Sequence, residues 1–143
     1  MNIEAPIIPG ESAAGIQLGS SIEEVFKEQN NHFISEEIVH PFVQFPTITR
    51  FRSAMVDLWV KNGIVNQIMV HVGYRGKLMG TIGLGSTIAD VERHIGVVEE
   101  DEEDNLVIRD IPGVGFEIEG YFPDLMDPAF RNAPIKEIYV FSS

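Results

Sequence analysis

Six consecutive acidic residues form the most concentrated charge in this chain of 143 residues. Carboxylates can bind a hard cation, but calcium loops alternate their ligands along the chain and place a glycine near the centre. The run has neither feature, so it predicts no calcium site. Two interpretations stay open: a hydrated loop, or a surface that fills a basic cleft in place of nucleic-acid phosphates. The residues are Glu99, Glu100, Asp101, Glu102, Glu103 and Asp104.

A second candidate is an aromatic and apolar segment, residues 121–131. Its simplest role is to cover an open end of a sheet with Phe122, Leu125, Met126 and Phe130, because apolar side chains in loops are usually hidden from water. Tyrosine, phenylalanine, methionine and arginine are also the side chains that anchor protein interfaces. In that role the segment would present Tyr121, Phe122, Met126 and Arg131.

The residues that could support catalysis or bind a metal lack the spacing those functions require. The four histidines form no metal-binding motif, no serine lies in a Gly-x-Ser-x-Gly element, and the chain contains no cysteine. Gly80, Gly83 and Gly85 precede a predicted helix but complete neither a dinucleotide fingerprint nor a phosphate loop. We therefore predict no catalytic residues, no metal site and no cofactor.

The net charge of −12 restricts the partners. An acidic protein repels nucleic acids and anionic membranes and attracts basic surfaces, so we expect a protein partner. No apolar run is long enough to span a membrane. The first residues lack the basic region and long apolar core of a signal peptide, which predicts a cytoplasmic location.

An internal duplication must position these candidates. Residues 15–25 (GIQLGSSIEEV) recur as residues 80–91 (GTIGLGSTIADV), and the two stretches stay in step without a gap from Ile16 and Ile82 onward. In each case alternating apolar residues predict a short strand, and a glycine predicts a turn. Ser21 or Thr87 then caps a short helix, with an acidic residue three positions later. We call residues 15–79 copy one and residues 80–143 copy two.

Copy one continues with β-rich segments at 33–39, 42–45 and 47–51. Segments 55–61 and 64–72 predict a hairpin that turns at Asn62 and Gly63, the strongest short hairpin signal. Its second arm alternates in character, which places His71 on the polar side. The inward residues of this arm are predicted to be Ile68, Val70 and Val72.

Copy two repeats the pattern with altered lengths. Segments 106–111, 114–119 and 135–141 are predicted strands, with Pro112 and Gly113 at the first turn. The last segment aligns with the second arm of the copy-one hairpin, with Ile135 matching Val65 and Val140 matching Val70.

These elements predict an α+β fold in a single domain, residues 1–143. Each copy would contribute one helix followed by three strands (αβββ). The two units would merge into one antiparallel sheet with two short helices packed on one face. The opposite face would remain for solvent or a partner.

Two tandem αβββ units with this opening element resemble the architecture of proteins like the β-lactamase inhibitor protein. Residues 8–19 (IPGESAAGIQLG) resemble the start of small bacterial immunity proteins of contact-dependent inhibition and related toxin systems. This resemblance implies a non-enzymatic protein that neutralises a cognate toxin with a basic surface, such as a nuclease, in the cytoplasm. The competing expectation is a small enzyme or ligand carrier with a pocket between the sheet and residues 121–134, and a third is a scaffold component without a toxin partner.

Overall fold

A computed structural model of the chain describes residues 2–29, 35–38, 48–120 and 124–142. The elements up to the end of copy one are β1 (Ser12–Ala13), β2 (Ile16–Gln17), α1 (Ile22–Gln29), β3 (Ser35–Ile38), β4 (Ile48–Arg52), β5 (Val56–Lys61) and β6 (Ile64–Val70). Those of copy two are α2 (Ile88–His94), β7 (Val98–Glu100), β8 (Leu106–Ile108), β9 (Ile111–Ile118), α3 (Pro128–Asn132) and β10 (Ile135–Phe141). The predicted strand at 42–45 lies outside the described residues.

Strands β3 to β10 form one antiparallel sheet in the order β3-β4-β5-β6-β10-β9-β8-β7. Each copy contributes a meander of four neighbouring strands, and the two meanders meet where β10 pairs with β6, with Ile138 opposite Val70. The predicted α+β class is confirmed, as is the joining of both copies in one antiparallel sheet; β1 and β2 form a separate two-stranded sheet. The strand count per copy differs from the expected three because Val98–Glu100, which contains the first two residues of the acidic run, forms β7, and because β3 also joins the sheet.

The two copies make the same backbone contacts between the helix start and the last strand. The N–H of Gly19 donates to the carbonyl of Val65 at 2.8 Å, and the N–H of Gly85 donates to the carbonyl of Ile135 at 2.9 Å. In return, the N–H of Val65 and that of Ile135 each donate to the serine carbonyl that follows the glycine. The alignment of Val65 with Ile135 in the sequence therefore relates structurally equivalent positions.

The core lies between the helices and one face of the sheet. Val25 of α1 and Ile88 and Val91 of α2 are buried there. The strand residues that they cover point to that face from both copies, which confirms the expected two helices on one side: Val56, Leu58, Ile68, Val70, Val114, Phe116, Ile138 and Val140.

The cap predicted for α2 is confirmed, and α1 uses the predicted Ser21 with a different amide partner. Thr87 and Asp90 form a full capping box, in which the Thr87 hydroxyl accepts from the N–H of Asp90 and the Asp90 carboxylate accepts from the N–H of Thr87. In copy one the Ser21 hydroxyl accepts from the N–H of Glu23, one residue before the expected Glu24. These bonds satisfy amides that a helix start would otherwise leave unpaired.

The predicted position of the turn between β8 and β9 is wrong. It falls at Asp110, whose φ of 68° is left-handed, and not at Pro112 and Gly113, which belong to β9. Gly113 has a different role: its carbonyl accepts from the N–H of Gly10 at 3.0 Å. A Cβ at Gly113 would come within 2.4 Å of that nitrogen, so the close crossing of the two backbones requires glycine there.

The inward position predicted for Val72 is also wrong. Strand β6 ends at Val70, and Val72 follows it with 78% of its surface exposed. The alternation that places Ile68 and Val70 inward holds only as long as the strand continues. The predicted turn at Asn62 and Gly63 is confirmed, with φ values of 52° and 76°.

Candidate functional site

The face of the sheet opposite the helices presents polar and aromatic side chains. They come from alternate positions of neighbouring strands, the positions between those that enter the core. We call this surface the open face. Its central residues are Arg50 and Arg52 of β4, Asp57 and Trp59 of β5, Gln67 and Met69 of β6 with the following His71, Glu117 of β9, and Glu137, Tyr139 and Phe141 of β10.

The copy-one half of the open face is organised around Asp57. Its carboxylate is 4% exposed and accepts from the Nη2 atom of Arg50 at 2.6 Å and from the Nε atom of Arg50 at 3.0 Å. The Nε2 atom of His71 lies 3.0 Å from the other oxygen of the same carboxylate. Arg50 also stacks over Trp59, with its central carbon 4.7 Å from the ring centroid. A cation is thus held between an aromatic ring and a buried carboxylate.

The copy-two half is organised around Glu117. The Tyr139 hydroxyl donates to Oε2 of Glu117 at 2.6 Å, and the Nζ atom of Lys136 lies 3.7 Å from Oε1. The hydrogen bond from Tyr139 is the main cause that lowers the pKa of Glu117. Glu137 is directly opposite Glu117 in the sheet. Partial burial, followed by its interactions with Glu117, raises the pKa of Glu137. Two carboxylates therefore face each other across neighbouring strands, a pairing that costs stability when both are charged.

The aromatic rings of Trp59 and Tyr139 connect the two halves. Their centroids are 6.5 Å apart with the planes inclined at 56°. Burial, with the bond to Glu117, raises the pKa of Tyr139, so the phenol stays protonated and remains a donor at neutral pH. The result is a continuous series of contacts from Arg50 in β4 to Glu117 in β9.

The acidic run does not form a simple loop beside the sheet. Glu99 and Glu100 belong to β7, and residues 101–105 form the turn of the β7–β8 hairpin, which we call the acidic turn. One carboxylate oxygen of Asp101 accepts from the N–H groups of Glu103 and Asn105, each at 2.9 Å. The bond from the Asn105 backbone, chiefly, lowers the pKa of Asp101, so this residue is ionised and also shapes the turn.

A cleft of about 590 Å³ lies between the acidic turn and the open face. We call it the acidic cleft. Gly115, Tyr139 and Phe141 line it from the sheet, together with Gln67 and Phe116, and the turn contributes Asp101, Glu102, Glu103 and Asn105. The structure therefore brings part of the predicted acidic site onto the open face.

The other predicted acidic residues have separate surroundings. Glu99 accepts from the Nε atom of Arg109 at 3.0 Å. Glu100 and Asp104 line a second cleft, of about 370 Å³, which also contacts Leu125 and Phe130. Asp104 has a left-handed φ of 63°. The six carboxylates thus divide between an edge strand and its turn.

The described part of the aromatic segment supports its predicted covering role at Leu125 and Phe130, but not at Met126. Phe130 of α3 is buried and Leu125 is half-buried against the core, as expected for a segment that covers the sheet. Met126 is 74% exposed. Arg131 forms an ion pair with Glu92 of α2, so it lies on the helix side of the molecule, away from the open face. Tyr121 and Phe122 lie outside the described residues.

Sequence reasoning missed most of the open face. It predicted His71 on the polar side of its strand, which is confirmed. It left two positions open for Trp59, the core or the helix-free face, and the structure places this side chain on the helix-free face. Glu117, Glu137 and Tyr139 were not singled out. The available signal was the alignment of residues 135–141 with the copy-one hairpin, since inward positions at Ile135, Ile138 and Val140 leave the residues between them outward.

No group of three or more histidine, aspartate or glutamate side chains that could hold a metal ion occurs within residues 2–29, 35–38, 48–120 and 124–142. In the same part of the chain, no helix has the length and apolar character needed to cross a bilayer.

Comparison with known proteins identifies the fold and no family. No family model matches the chain, and no curated protein matches its sequence. The uncharacterized protein yfeY from Escherichia coli has a similar structure, with a TM-score of 0.60 over 94% of this chain and 98% of that one, at 9% sequence identity. A cysteine-rich secretory protein from Staphylococcus aureus matches 99% of this chain and 49% of its own length, with 14% identity and a TM-score of 0.49.

Proposed function

We propose that this protein is a non-enzymatic binding protein that holds a protein partner against its open face. The observation that carries this proposal is the connected series of aromatic and charged side chains across five strands, from Arg50 through Trp59 and Tyr139 to Glu117. Tryptophan, tyrosine and arginine are the side chains that contribute most to protein interfaces. Here hydrogen bonds and ring contacts already fix their orientation, which lowers the entropy lost on binding.

The partner we propose is a bacterial toxin with a basic surface, neutralised in the cytoplasm. The net charge of −12 and the acidic turn beside the open face support a basic partner, because complementary charge accelerates association and disfavours other partners. The proposal that this partner is a toxin comes from the sequence resemblance to immunity proteins. Neutralisation would follow from steric and electrostatic blockade of the toxin surface.

A growth assay tests this function. The reading frame adjacent to this gene is expressed from an inducible promoter in Escherichia coli, with and without this protein. We expect growth arrest by the neighbouring product and recovery when this protein is present. A harmless neighbouring product, or arrest that continues at excess of this protein, would refute the immunity function.

Variants locate the binding surface in the same assay. Trp59→Ala combined with Tyr139→Ala removes the aromatic centre of the open face, and Glu117→Lys reverses a charge without touching the core. We expect both to lose protection. Glu28→Lys is the control, because it makes the same charge reversal at an exposed position of α1, on the helix side of the sheet. Full protection by a folded Glu117→Lys variant would show that the interface does not include the open face at Glu117.

A small-molecule carrier or enzyme is the second candidate. It is favoured by the cleft of about 370 Å³ between the sheet and the segment before β10, where apolar Leu125 and Phe130 meet polar Glu117, Lys136 and Tyr139. Native mass spectrometry of the purified protein tests it: a retained metabolite that is lost in Phe130→Ala would favour this function over partner binding.

A further inference from the structure

The strand pairing aligns the open faces of the two copies position by position. Asp57 of β5 lies opposite Met69, and Gly115 of β9 lies opposite Tyr139. The sequence alignment of the last strands, which matches Val70 with Val140, also matches Met69 with Tyr139. Gly115 therefore occupies the position of Asp57.

The next strands outward extend this equivalence. Arg52 of β4 lies opposite Asp57, and Val107 of β8 lies opposite Gly115. Two residues earlier in each copy are Arg50, in β4, and Asn105, in the turn before β8, where it lines the acidic cleft. The ion pair of copy one is thus replaced by an amide and a glycine.

This replacement explains where the acidic cleft lies. In copy one, the guanidinium of Arg50 fills the space between the Asp57 carboxylate and the Trp59 ring. In copy two, Gly115 has no side chain and Asn105 turns back to Asp101, with its Nδ2 atom 3.3 Å from a carboxylate oxygen. No guanidinium of the described residues occupies the equivalent position: the Phe141 ring lies 3.4 Å from where a Cβ of Gly115 would be, and the cleft of about 590 Å³ adjoins both residues.

The walls of the acidic cleft retain the chemistry that binds a cation. Tyr139 and Phe141 provide aromatic rings, which attract cations placed over their faces. Asp101, Glu102 and Glu103 provide carboxylates, which pair with a guanidinium through two parallel hydrogen bonds. Copy two therefore has both kinds of group that hold Arg50 in copy one, but none of the described residues that line the cleft supplies the cation.

We propose that the acidic cleft receives the guanidinium group of an arginine side chain carried by the partner protein. The identity of the partner as a toxin rests on the proposed function, whereas the chemistry of the cleft does not. The volume of about 590 Å³ falls in the range of small-molecule sites and accommodates one long side chain with its hydration water. In the complex, the arginine would complete in copy two the arrangement that copy one completes by itself.

An NMR titration with a minimal probe tests the site directly. N-acetyl-arginine-methylamide is added to the ¹⁵N-labelled full chain, and the isosteric but uncharged citrulline compound is added to a second sample. We expect arginine-specific shifts at the amides of Asn105, Gly115 and Phe141. No shifts at these amides, or equal shifts with the citrulline compound, would overturn the proposal.

Two variants separate the roles of charge and space. Glu102→Gln combined with Glu103→Gln keeps the shape of the turn, and we expect it to weaken probe binding by roughly two- to tenfold. Glu23→Gln with Glu24→Gln removes the same charge from exposed positions on α1 and should leave probe binding unchanged. Equal weakening by both pairs would show that only the net charge matters and would contradict a defined site.

The second variant fills the cleft from within. Asn105→Arg with Gly115→Asp copies the Arg50 and Asp57 pair into copy two, and we expect probe binding to disappear while the ¹⁵N spectrum stays folded. Retained binding by this variant would exclude the cleft.

The results also distinguish this site from the proposed function. If the probe binds but the protein gives no protection against the toxin, the arginine site is supported and the immunity function is refuted. Protection that survives in the filled variant leaves the function and refutes the site.

Discussion

On the helix side of the sheet, the two copies match closely. Leu58 and Phe116 occupy equivalent positions, as do Val56 and Val114, and all four side chains are buried. On the open side, the equivalent pairs differ in charge and in size: Asp57 corresponds to Gly115, and Arg52 to Val107. Burial restricts the residues of the first set to apolar side chains of suitable volume, whereas solvent leaves the second set free to diverge.

The divergence gives the open face a polarity along the sheet. The copy-one half carries Arg50, Arg52 and His71 around one buried carboxylate, and the copy-two half carries Glu117, Glu137 and the acidic turn. In copy one the buried carboxylate is paired with Arg50, whereas copy two has an excess of negative charge. We therefore expect the functional residues at the positions of the open face where the two copies differ.

The largest effect is expected from the shared core. Leu58→Ala and Phe116→Ala should each lower the free energy of unfolding by about 3 kcal/mol, because each leaves a cavity in a tightly packed interior. In urea, both variants should still unfold in one transition, since β6 and β10 join the copies. Met126→Ala, at an exposed position, should change stability by less than about 0.5 kcal/mol. Two separate transitions in either core variant would show that the copies are independent units.

A smaller effect is expected where the open faces differ. Asp57→Ala removes the partner of Arg50 and His71 and should cost about 2 kcal/mol, below the full cost of a broken buried pair because Arg50 is 24% exposed and can be hydrated. Gly115→Ala at the equivalent position adds a Cβ 3.2 Å from the Leu106 carbonyl oxygen and should change stability by less than about 1 kcal/mol. Chemical denaturation measures both, and equal losses would contradict the asymmetry of the two halves.

The smallest effect concerns the pair of carboxylates in copy two. The raised pKa of Glu137 means that its stabilising contribution is present below its unfolded value of about 4.5 and is lost as pH rises through the folded value. The lowered pKa of Glu117 affects stability only below pH 4.5, where its stabilising contribution is lost as the pH falls, so the two residues change stability in different pH ranges. Glu137→Gln should thus raise the melting temperature at pH 7 by a few degrees at most.

Comparison of melting temperatures at several pH values isolates this contribution. The advantage of Glu137→Gln over the wild type should shrink as pH falls from 7 to 4.5. The groups that surround Glu137, including Glu117, Lys136 and His71, are present in both proteins, so their own titration largely cancels. An advantage that stays constant with pH would show that Glu137 carries no strained charge.

Local signals in the sequence were sufficient for the caps, the turn at Asn62 and Gly63, and the repeat itself. Each of these depends on a few neighbouring residues, such as the Thr87 hydroxyl that reaches the N–H of Asp90. Strand β7 could not be found in this way. It has three residues, two of them glutamates, and it is a strand only because β8 pairs with it.

The candidate site was harder to predict for the same reason. Tyr139 and Glu117 are far apart in the sequence, and they meet only because β10 pairs with β9. The acidic run was recognised from its charge, but its position beside Tyr139 and Phe141 depends on the β7–β8 hairpin. The charged residues could therefore be recognised from the sequence alone, whereas the residues that contact them could be identified only once the strand order was known.

The strand order has a consequence for synthesis on the ribosome. Strand β10 lies between β6 and β9, although it follows both of them in the sequence. Until it leaves the exit tunnel, β6 has an unpaired apolar edge and copy two has no place to dock. Nascent chains are thus exposed to edge-to-edge aggregation, and chaperone binding is most useful before residue 141 emerges. The open face, which spans both copies, can form only after β10 has been made.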